Sequence, residues 1–446
     1  MGRILSLSGA LALALCHPVA AMAATDREVE EIRAQIRELK SSYEARIQAL
    51  EQRLKEMEAG KAAASAPAVT PASAPAVTSA SAPAVTPASA PVTPAQAGAQ
   101  SSLSAFNPAI SAILTGNYVN LSQDPARYRL SGFAIPPDAG PGRRGFSIGE
   151  SELTFSANVD PFFSGALTFS IAPDNRVEVE EAYGLYNRGL NGIVPKFGRF
   201  LSAVGYLNEQ HAHAWDFADT PLAYQAFLGG QYRNDGVQLR WIAPTEQYVE
   251  LGGEAGNGDA FPGNERNRNG FGSGIAFART GGDIGDSHSW LAGVSYLRTR
   301  ADARPDVLFD ASGTPIDDPF TGSSRTWGTM FVWKYAPHGN PRERNFKLQA
   351  EYFWRNERDQ QHGGYVQGVY QFMPTWRAGL RYDRLDPRAL EGFNPERSTA
   401  MVDWSPSEFA RIRFQLARAK LAPGFADNEL FLQYILSIGA HGAHKY

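Results

Sequence analysis

The stretch Phe-Ser-Ile-Gly-Glu-Ser-Glu-Leu-Thr-Phe-Ser-Ala-Asn-Val at residues 146–159 decides the fold class. Successive side chains of an extended chain point to opposite faces, so alternate residues share a face. The apolar face holds Leu153, Phe155, Ala157 and Val159. The polar face holds Glu150, Glu152, Thr154 and Ser156. Asp160-Pro161 supplies a turn signal, and residues 163–171 repeat the alternation, which predicts two adjacent antiparallel strands.

The same alternation continues over residues 105–446 in about sixteen segments, each of roughly 9–14 residues. Short turns alternate with long connections near 123–146, 204–233, 257–272, 301–323 and 386–396. This asymmetry is typical of barrels that cross the outer membrane. We therefore predict an all-β transmembrane barrel of about 16 antiparallel strands, and the lipid bilayer of the outer membrane as its first partner.

The residues before 105 predict three further segments. Residues 1–23 have the features of a signal peptide, with Arg3 before a short apolar core and Ala21-Met22-Ala23 as the cleavage site. Residues 25–60 carry a heptad pattern of apolar side chains, which predicts a periplasmic coiled coil; isoleucine at successive core positions favours a homotrimer. A lone surface helix is the alternative for this segment.

Residues 61–104 form a low-complexity linker of Ala, Pro, Ser, Thr and Val, in which Ser-Ala-Pro-Ala-Val-Thr recurs at 65–70, 73–78 and 81–86. Proline at this density predicts an extended spacer. The formal net charge of the chain is only -4, which argues against a nucleic-acid partner. The sole cysteine, Cys16, lies in the predicted leader, as suits a protein exported through an oxidising compartment.

Charged side chains at strand positions must face the lumen, because each would cost about 2–4 kcal/mol against lipid near the middle of the membrane. The predicted lumen residues are Arg240, Lys347, Arg377, Arg381, Arg411, Arg413, Glu150 and Glu152. One interpretation is that the cations select anions. The alternative is that Arg377 and Arg381 pair with Asp383, Asp403 or Glu351 and stiffen the wall.

Residues 204–233 are predicted to enter the lumen as a constriction loop with Glu209, Asp216 and Asp219 as its acidic face. The spacing of the side chains in this segment predicts a helix from Asn208 to Phe217, with Pro221 ending it. His211 and His213 form a His-x-His pair, and imidazole is a ligand that borderline metal ions such as zinc bind. We predict no resident cofactor; a weakly bound zinc at this pair is the open alternative to two ordinary polar loop residues.

The last strand is predicted to reach the terminal Tyr446, with apolar side chains at even spacing before it. This pattern resembles the C-terminal signal of bacterial barrels and implies recognition by the barrel-assembly machinery. His441 and His444 form a second pair near this end.

Two family resemblances add to these expectations. A coiled coil before a barrel, with Phe-Gly-Arg-Phe at 197–200 leading into the long loop, resembles phosphate-selective and dicarboxylate-type trimeric porins. Phe-Asn-Pro-Ala-Ile-Ser (106–111), Tyr-Leu-Asn-Glu-Gln-His-Ala-His (206–213) and Gly-Ala-His-Gly-Ala-His (439–444) resemble a proteobacterial family labelled TonB-dependent or zinc-regulated outer-membrane receptors. Such receptors need a plug domain and about 22 strands, whereas residues 25–104 are predicted to be coiled coil and linker.

The leading functional prediction is an outer-membrane porin through which small anionic or polar solutes diffuse. An outer-membrane receptor or transporter for zinc or a metal complex is the second hypothesis, and an envelope tether that acts through the coiled coil is the third. The sequence has no glycine-rich phosphate loop before a helix, and its eight histidines are scattered along the chain, so an enzyme is not predicted.

Overall fold

The computed structural model describes residues 108–439, except 174, 190, 310–313 and 388–392. The predicted signal peptide, coiled coil and linker lie outside the described residues, as do His441, His444 and Tyr446.

The predicted barrel of sixteen antiparallel strands is confirmed. The strands are β1 (Ala109–Leu121), β2 (Gly145–Ile148 and Ser151–Asn158), β3 (Phe163–Ile171), β4 (Val177–Tyr186), β5 (Ile193–Leu201), β6 (Arg233–Ile242), β7 (Tyr248–Gly256), β8 (Ser273–Ile284), β9 (His288–Arg304), β10 (Phe320–Tyr335), β11 (Asn345–Asn356), β12 (Gln360–Met373), β13 (Trp376–Asp386), β14 (Glu396–Ser407), β15 (Ala410–Ala422) and β16 (Phe425–Gly439). Each pairs with the next in the chain, and β16 pairs with β1 from Ser111↔Gly439 to Leu121↔Glu429. This last pairing closes the sheet, so the barrel has no free edge. A short hairpin, Val307–Phe309 with Pro315–Asp317, projects between β9 and β10.

Strand β2 is a single crossing interrupted at Gly149 and Glu150. Both of its segments pair with β1, and the backbone amide of Thr115 on β1 donates to Ser151 Oγ at 3.0 Å. Three residues of β2, 149–151, face two of β1, 114–115, so the one extra residue forms a bulge, which re-aims the side chains that follow it.

The outer face of the barrel is apolar. Leu380 is 69% exposed, and Leu239, Ile412, Phe414 and Leu432 are each more than 40% exposed on the same face of their strands. A surface of this kind is stable against lipid but not against water. The sequence alternation therefore sorts side chains between lipid and lumen, as expected of a membrane barrel.

Aromatic side chains concentrate at two levels of the outer face. Trp376 and Trp404 are opposed across β13 and β14 beside two tight turns, with ring centroids 6.2 Å apart. Trp327 and Trp354 are opposed across β10 and β11, nearer the other end. Such girdles mark the two membrane interfaces.

Connections at the two ends of the barrel differ in length. One end carries the tight turns, such as 374–375 and 408–409, and the other carries long loops at 122–144, 202–232 and 257–272. The long connections therefore lie at one end, as predicted, but they do not strictly alternate with short ones, because the connections 172–176, 357–359 and 423–424 at that end are short. None of the helices in the described ranges has the length and apolar character needed to span a membrane.

A hydrophobic core lies inside the barrel rather than around it. Leu130 and Phe133 of the loop 122–144 belong to one buried cluster with Phe227, Phe353 and Phe425. The rings of Phe133 and Phe227 meet edge to face at 5.7 Å. The first long loop therefore packs on the loop 202–232, which we call the inner loop, and both contact the wall.

Candidate functional site: the inner loop and the lumen wall

The inner loop contains two short 3-10 turns, Leu207–Glu209 and Ala212–Ala214, followed by the α-helix α1 (Leu222–Leu228). The predicted helix from Asn208 to Phe217 ended by Pro221 is wrong. Pro221 instead precedes α1, where a missing amide donor costs nothing because the first amides of a helix have no partner within it. The Leu222 amide donates to Asp383 on β13 at 2.9 Å, so a wall carboxylate caps the helix.

Four arginines of β13, β14 and β15 hold the acidic end of the inner loop; we call Arg377, Arg381, Arg397 and Arg413 the arginine wall. Arg381 contacts Asp219 at 2.8 Å and Asp383 at 3.1 Å. Arg397 contacts the other oxygen of Asp219 at 2.5 Å. These arginine side chains are only 1% exposed. Asp219 is therefore fixed between two buried guanidinium groups.

Asp216 is held by the arginine wall and by Lys347 on β11. Lys347 on β11 contacts it at 2.5 Å, and Arg377 at 3.3 Å. Arg377 also pairs with Asp403 at 2.7 Å, and the Arg413 side chain donates to the Trp215 carbonyl at 2.8 Å. The pairing of Arg377 with Asp403 and of Arg381 with Asp383 is the arrangement that the wall-stiffening interpretation requires.

Burial alone would raise the pKa of both loop aspartates, but the facing cations outweigh it. Lys347 and Arg377 hold the pKa of Asp216 below its usual value, and Arg381 and Arg397 do the same for Asp219. Both side chains are therefore carboxylates at neutral pH.

Glu209 is held at a different part of the wall. Arg240 on β6 and Arg279 on β8 both bind its carboxylate, and both also reach Glu250, at 3.2 and 3.4 Å. Burial would raise the pKa of Glu209, but the two arginines lower it to about 2.

Glu351 on β11 anchors the start of the inner loop. It accepts from the amides of Tyr206 and Leu207 at 2.7 and 3.1 Å, and from the hydroxyls of Tyr224 and Tyr365 at 3.0 and 2.5 Å. The carboxylate is 2% exposed. A fully satisfied buried acceptor of this kind fixes the conformation of the segments that donate to it.

On the opposite side, the loop meets acids instead of arginines. We call Glu152 on β2, Glu180 and Glu181 on β4, and His211 and His213 of the loop the glutamate corner. His211 Nδ1 is 3.1 Å from Glu152 and 3.2 Å from Glu180, and its Nε2 is 3.0 Å from Glu181. His213 Nδ1 is 2.8 Å from the second oxygen of Glu152. Burial would lower the pKa of His211, but Glu152 and Glu180 raise it well above the usual value.

The predicted lumen residues differ in how fully they are engaged. Arg381 and Arg413 are buried in the contacts just described, whereas Lys347, Arg377 and Arg411 keep 20%, 22% and 17% of their side chains exposed. Arg411 has the weakest pairing, with its Nε 4.0 Å from Asp403. Glu150 lies at the break in β2 and is half-buried.

Four functional side chains were missed at the sequence level: Arg279, Arg397, Glu180 and Glu181. Arg279 and Arg397 occupy inward positions of strands whose alternation could have revealed them. Glu180 and Glu181 are consecutive, so a regular strand would turn one of them toward lipid, and the sequence does not show the irregularity that prevents this.

No protein-family model matches the sequence. A curated relative is an uncharacterized protein of Aquifex aeolicus (strain VF5), 31% identical over 399 residues, which covers 77% of this chain and 81% of the relative.

Several solved outer-membrane proteins are similar to the barrel at low sequence identity. OmpT of Vibrio cholerae in its trimer form has a TM-score of 0.49 at 13% identity, covering 74% of this chain and 99% of that one. The channel DcaP of Acinetobacter baumannii has a TM-score of 0.46 at 14% identity, covering 74% and 97%. An anion-selective porin from Comamonas acidovorans has a TM-score of 0.49 at 10% identity, covering 74% and 99%.

Proposed function

Because the chain belongs to the same family as the uncharacterized Aquifex aeolicus protein and forms a closed membrane barrel, we propose that this family consists of outer-membrane porins. The specific proposal is diffusion of small anionic or polar solutes through a lumen narrowed by the inner loop. The observation that carries it is the contact of this one loop with opposite sides of the barrel.

Narrowing of the lumen by the inner loop is supported by the strands that hold it. His211 and His213 meet β2 and β4, Glu209 meets β6 and β8, and Asp219 meets β13 and β14. Since β2 and β13 lie well apart around a ring of sixteen strands, a segment bound to both crosses the interior. A barrel of this strand number otherwise has an open aqueous channel.

A preference for anions is supported by the cations that remain partly exposed. Lys347, Arg377 and Arg411 lie near the tight-turn end of β11, β13 and β15, closer to that end than Arg381 and Arg397. Arg411 has the weakest ion pair of the three, with its Nε 4.0 Å from Asp403, and 17% of its side chain is exposed. A guanidinium whose charge is weakly compensated beside the solute path stabilises a passing anion.

The reversal potential in a potassium chloride gradient across a planar bilayer tests both parts of the proposal. Wild type should conduct and should favour chloride, and Arg411→Gln should reduce that preference. Arg344→Gln is the matched control, because Arg344 is an exposed arginine in the turn between β10 and β11. A barrel that conducts no ions contradicts the porin proposal, and an unchanged or increased chloride preference in Arg411→Gln contradicts the role of Arg411.

The proposal includes a homotrimer in the outer membrane with residues 25–60 in the periplasm, supported by the heptad pattern of that segment. Deleting residues 25–60 should lower the mass of the purified assembly toward that of one chain. An assembly of unchanged stoichiometry would contradict the role of the segment.

A further inference from the structure

Among the described residues, the carboxylates of the glutamate corner differ from Asp216 and Asp219 at the arginine wall because they form ion pairs with histidines and not with guanidinium groups. Within the described ranges, Glu152 and Glu180 form ion pairs only with His211 and His213. Both glutamate side chains are 2% exposed. Buried carboxylates in excess of their counter-charges are costly unless a cation joins them.

A β-bulge creates this concentration of acids. Thr168 of β3 is opposite Glu181 and the next residue, Phe169, is opposite Val179, so Glu180 is the extra residue on β4. The bulge turns two consecutive glutamates inward, and both contact the same imidazole. Bulges that re-aim side chains in this way are frequent next to functional sites.

The three innermost groups, His211, Glu152 and Glu180, lie close enough together to hold one metal ion. His211 Nδ1 lies 3.1 and 3.2 Å from oxygens of Glu152 and Glu180, and one ligand atom from each of the three residues falls within 4.8 Å of the others. Metal–ligand bonds of about 2.0–2.2 Å in a tetrahedron place neighbouring ligand atoms roughly 3.3–3.6 Å apart. The two distances from Nδ1 are therefore within a few tenths of an ångström of those in a tetrahedral site, and the two carboxylates lie close enough together to share an ion with it.

The surrounding contacts are those of a metal site's outer shell. A metal-binding histidine characteristically donates its other ring N–H to a carboxylate, which fixes the tautomer and the ring orientation. Glu181 lies 3.0 Å from His211 Nε2 and is placed to accept this hydrogen bond. The ligating carboxylate of Glu152 is oriented in turn by His213 Nδ1 at 2.8 Å from its other oxygen.

We propose that the glutamate corner binds a divalent transition cation of the zinc class, with Glu152, Glu180 and His211 as ligands. Glu181 and His213 are positioning residues that orient those ligands. His211 keeps 23% of its side chain exposed, which provides an entry path and leaves a coordination position for water or an anion. The ion joins the inner loop to β2 and β4, and its binding does not depend on whether the barrel conducts.

Titration calorimetry of the full chain in detergent with Zn²⁺ tests the proposal, with all proteins in a His441→Ala, His444→Ala background so that the terminal pair does not contribute. One equivalent should bind per chain, and His211→Gln and Glu180→Gln should each weaken binding by tenfold or more. Glu181→Gln should weaken it by about 10–100-fold, as loss of an outer-shell partner does. His338→Ala is the matched control, because His338 is a highly exposed histidine in a turn.

Co²⁺ provides a second readout that tolerates weak binding. Its visible absorption should appear in the background protein with the intensity of a four- or five-coordinate site and should change in Glu180→Gln. Barrel folding is checked in each variant by heat-modifiable migration on gels. Absence of binding to the folded protein, or binding unaffected by both His211→Gln and Glu180→Gln, would overturn the proposal, while conductance of the same preparations would leave the porin proposal standing.

Discussion

The arginine wall and the glutamate corner hold the same loop with inverted charges. At the arginine wall, the loop supplies the acid and the barrel supplies the bases: Asp219 lies between Arg381 and Arg397. At the glutamate corner, the loop supplies His211 and the barrel supplies three glutamates. A guanidinium is charged at every physiological pH, whereas an imidazole can exchange its proton for a metal ion. The ion pairs at the arginine wall are therefore present at every physiological pH, whereas those at the glutamate corner can change when a metal ion binds.

The largest loss of stability is expected from substitution of Asp219. Asp219→Ala leaves Arg381 and Arg397 buried without their shared partner, and breaking a buried pair in this way costs about 3–5 kcal/mol. The free energy of unfolding, measured in detergent, should fall by about that amount. Asp286→Ala removes an exposed aspartate from a turn and should have almost no effect. Equal stabilities of the two variants would show that the arginine wall does not hold the loop.

The two regions should respond oppositely to the loss of an acid. In chelator-treated protein, Asp219→Asn should destabilise the barrel. Glu180→Gln should be neutral or stabilising, because the glutamate corner has more carboxylates than cations and this change removes one carboxylate. His211→Gln removes the histidine that meets these acids and should cost about 1–3 kcal/mol. Thermal unfolding of the three variants measures this. If Glu180→Gln destabilised the barrel as much as Asp219→Asn, the two regions would not differ in how they respond to the loss of an acid, and the prediction would be wrong.

A smaller effect is expected where the loop is held by hydrogen bonds alone. Tyr224→Phe removes a hydroxyl that donates to Glu351 and accepts from the Asn208 amide, and one such contact contributes about 1 kcal/mol. Tyr370→Phe, on the lipid-facing side of β12, is the control. A loss no greater than that of Tyr370→Phe would mean that the loop does not depend on Glu351.

The smallest predicted effect is that of pH on the arginine wall. The pKa of Asp219 lies below its usual value, so its stabilising contribution is present above the ordinary aspartate pKa of about 3.9 and is lost only as pH falls below that value. The difference in melting temperature between wild type and Asp219→Asn should therefore be the same at pH 7 and pH 5. A difference that shrinks over this interval would contradict the assigned ionisation.

The barrel could be predicted from the sequence because lipid imposes strict alternation. Ile412, Phe414 and Leu416 face outward because any charge there is penalised, and this leaves Arg411 and Arg413 facing inward. The exposed face of a membrane barrel is thus encoded residue by residue.

The interior of the barrel was harder to predict because the inner loop has no such period. The spacing from Asn208 to Phe217 fits a helix, yet the segment forms two separate 3-10 turns. Its side chains bind partners on different strands, Glu209 on β6 and β8 and His211 on β2 and β4, which one regular helix would not allow. The sequence spacing predicts that Pro221 ends a helix, whereas proline is equally suited to precede one, as it does before α1. The bulge at Glu180 depends on pairing with β3, which local sequence does not report.

Single-channel conductance tests most directly whether the inner loop sets the size of the pore. Wild type is compared, in the same salt, with a variant in which residues 206–230 are replaced by a short glycine-serine linker; every strand of the barrel keeps its neighbours in that variant. The proposed constriction predicts at least a twofold larger conductance in the variant. An equal or smaller conductance from a correctly folded variant would contradict it.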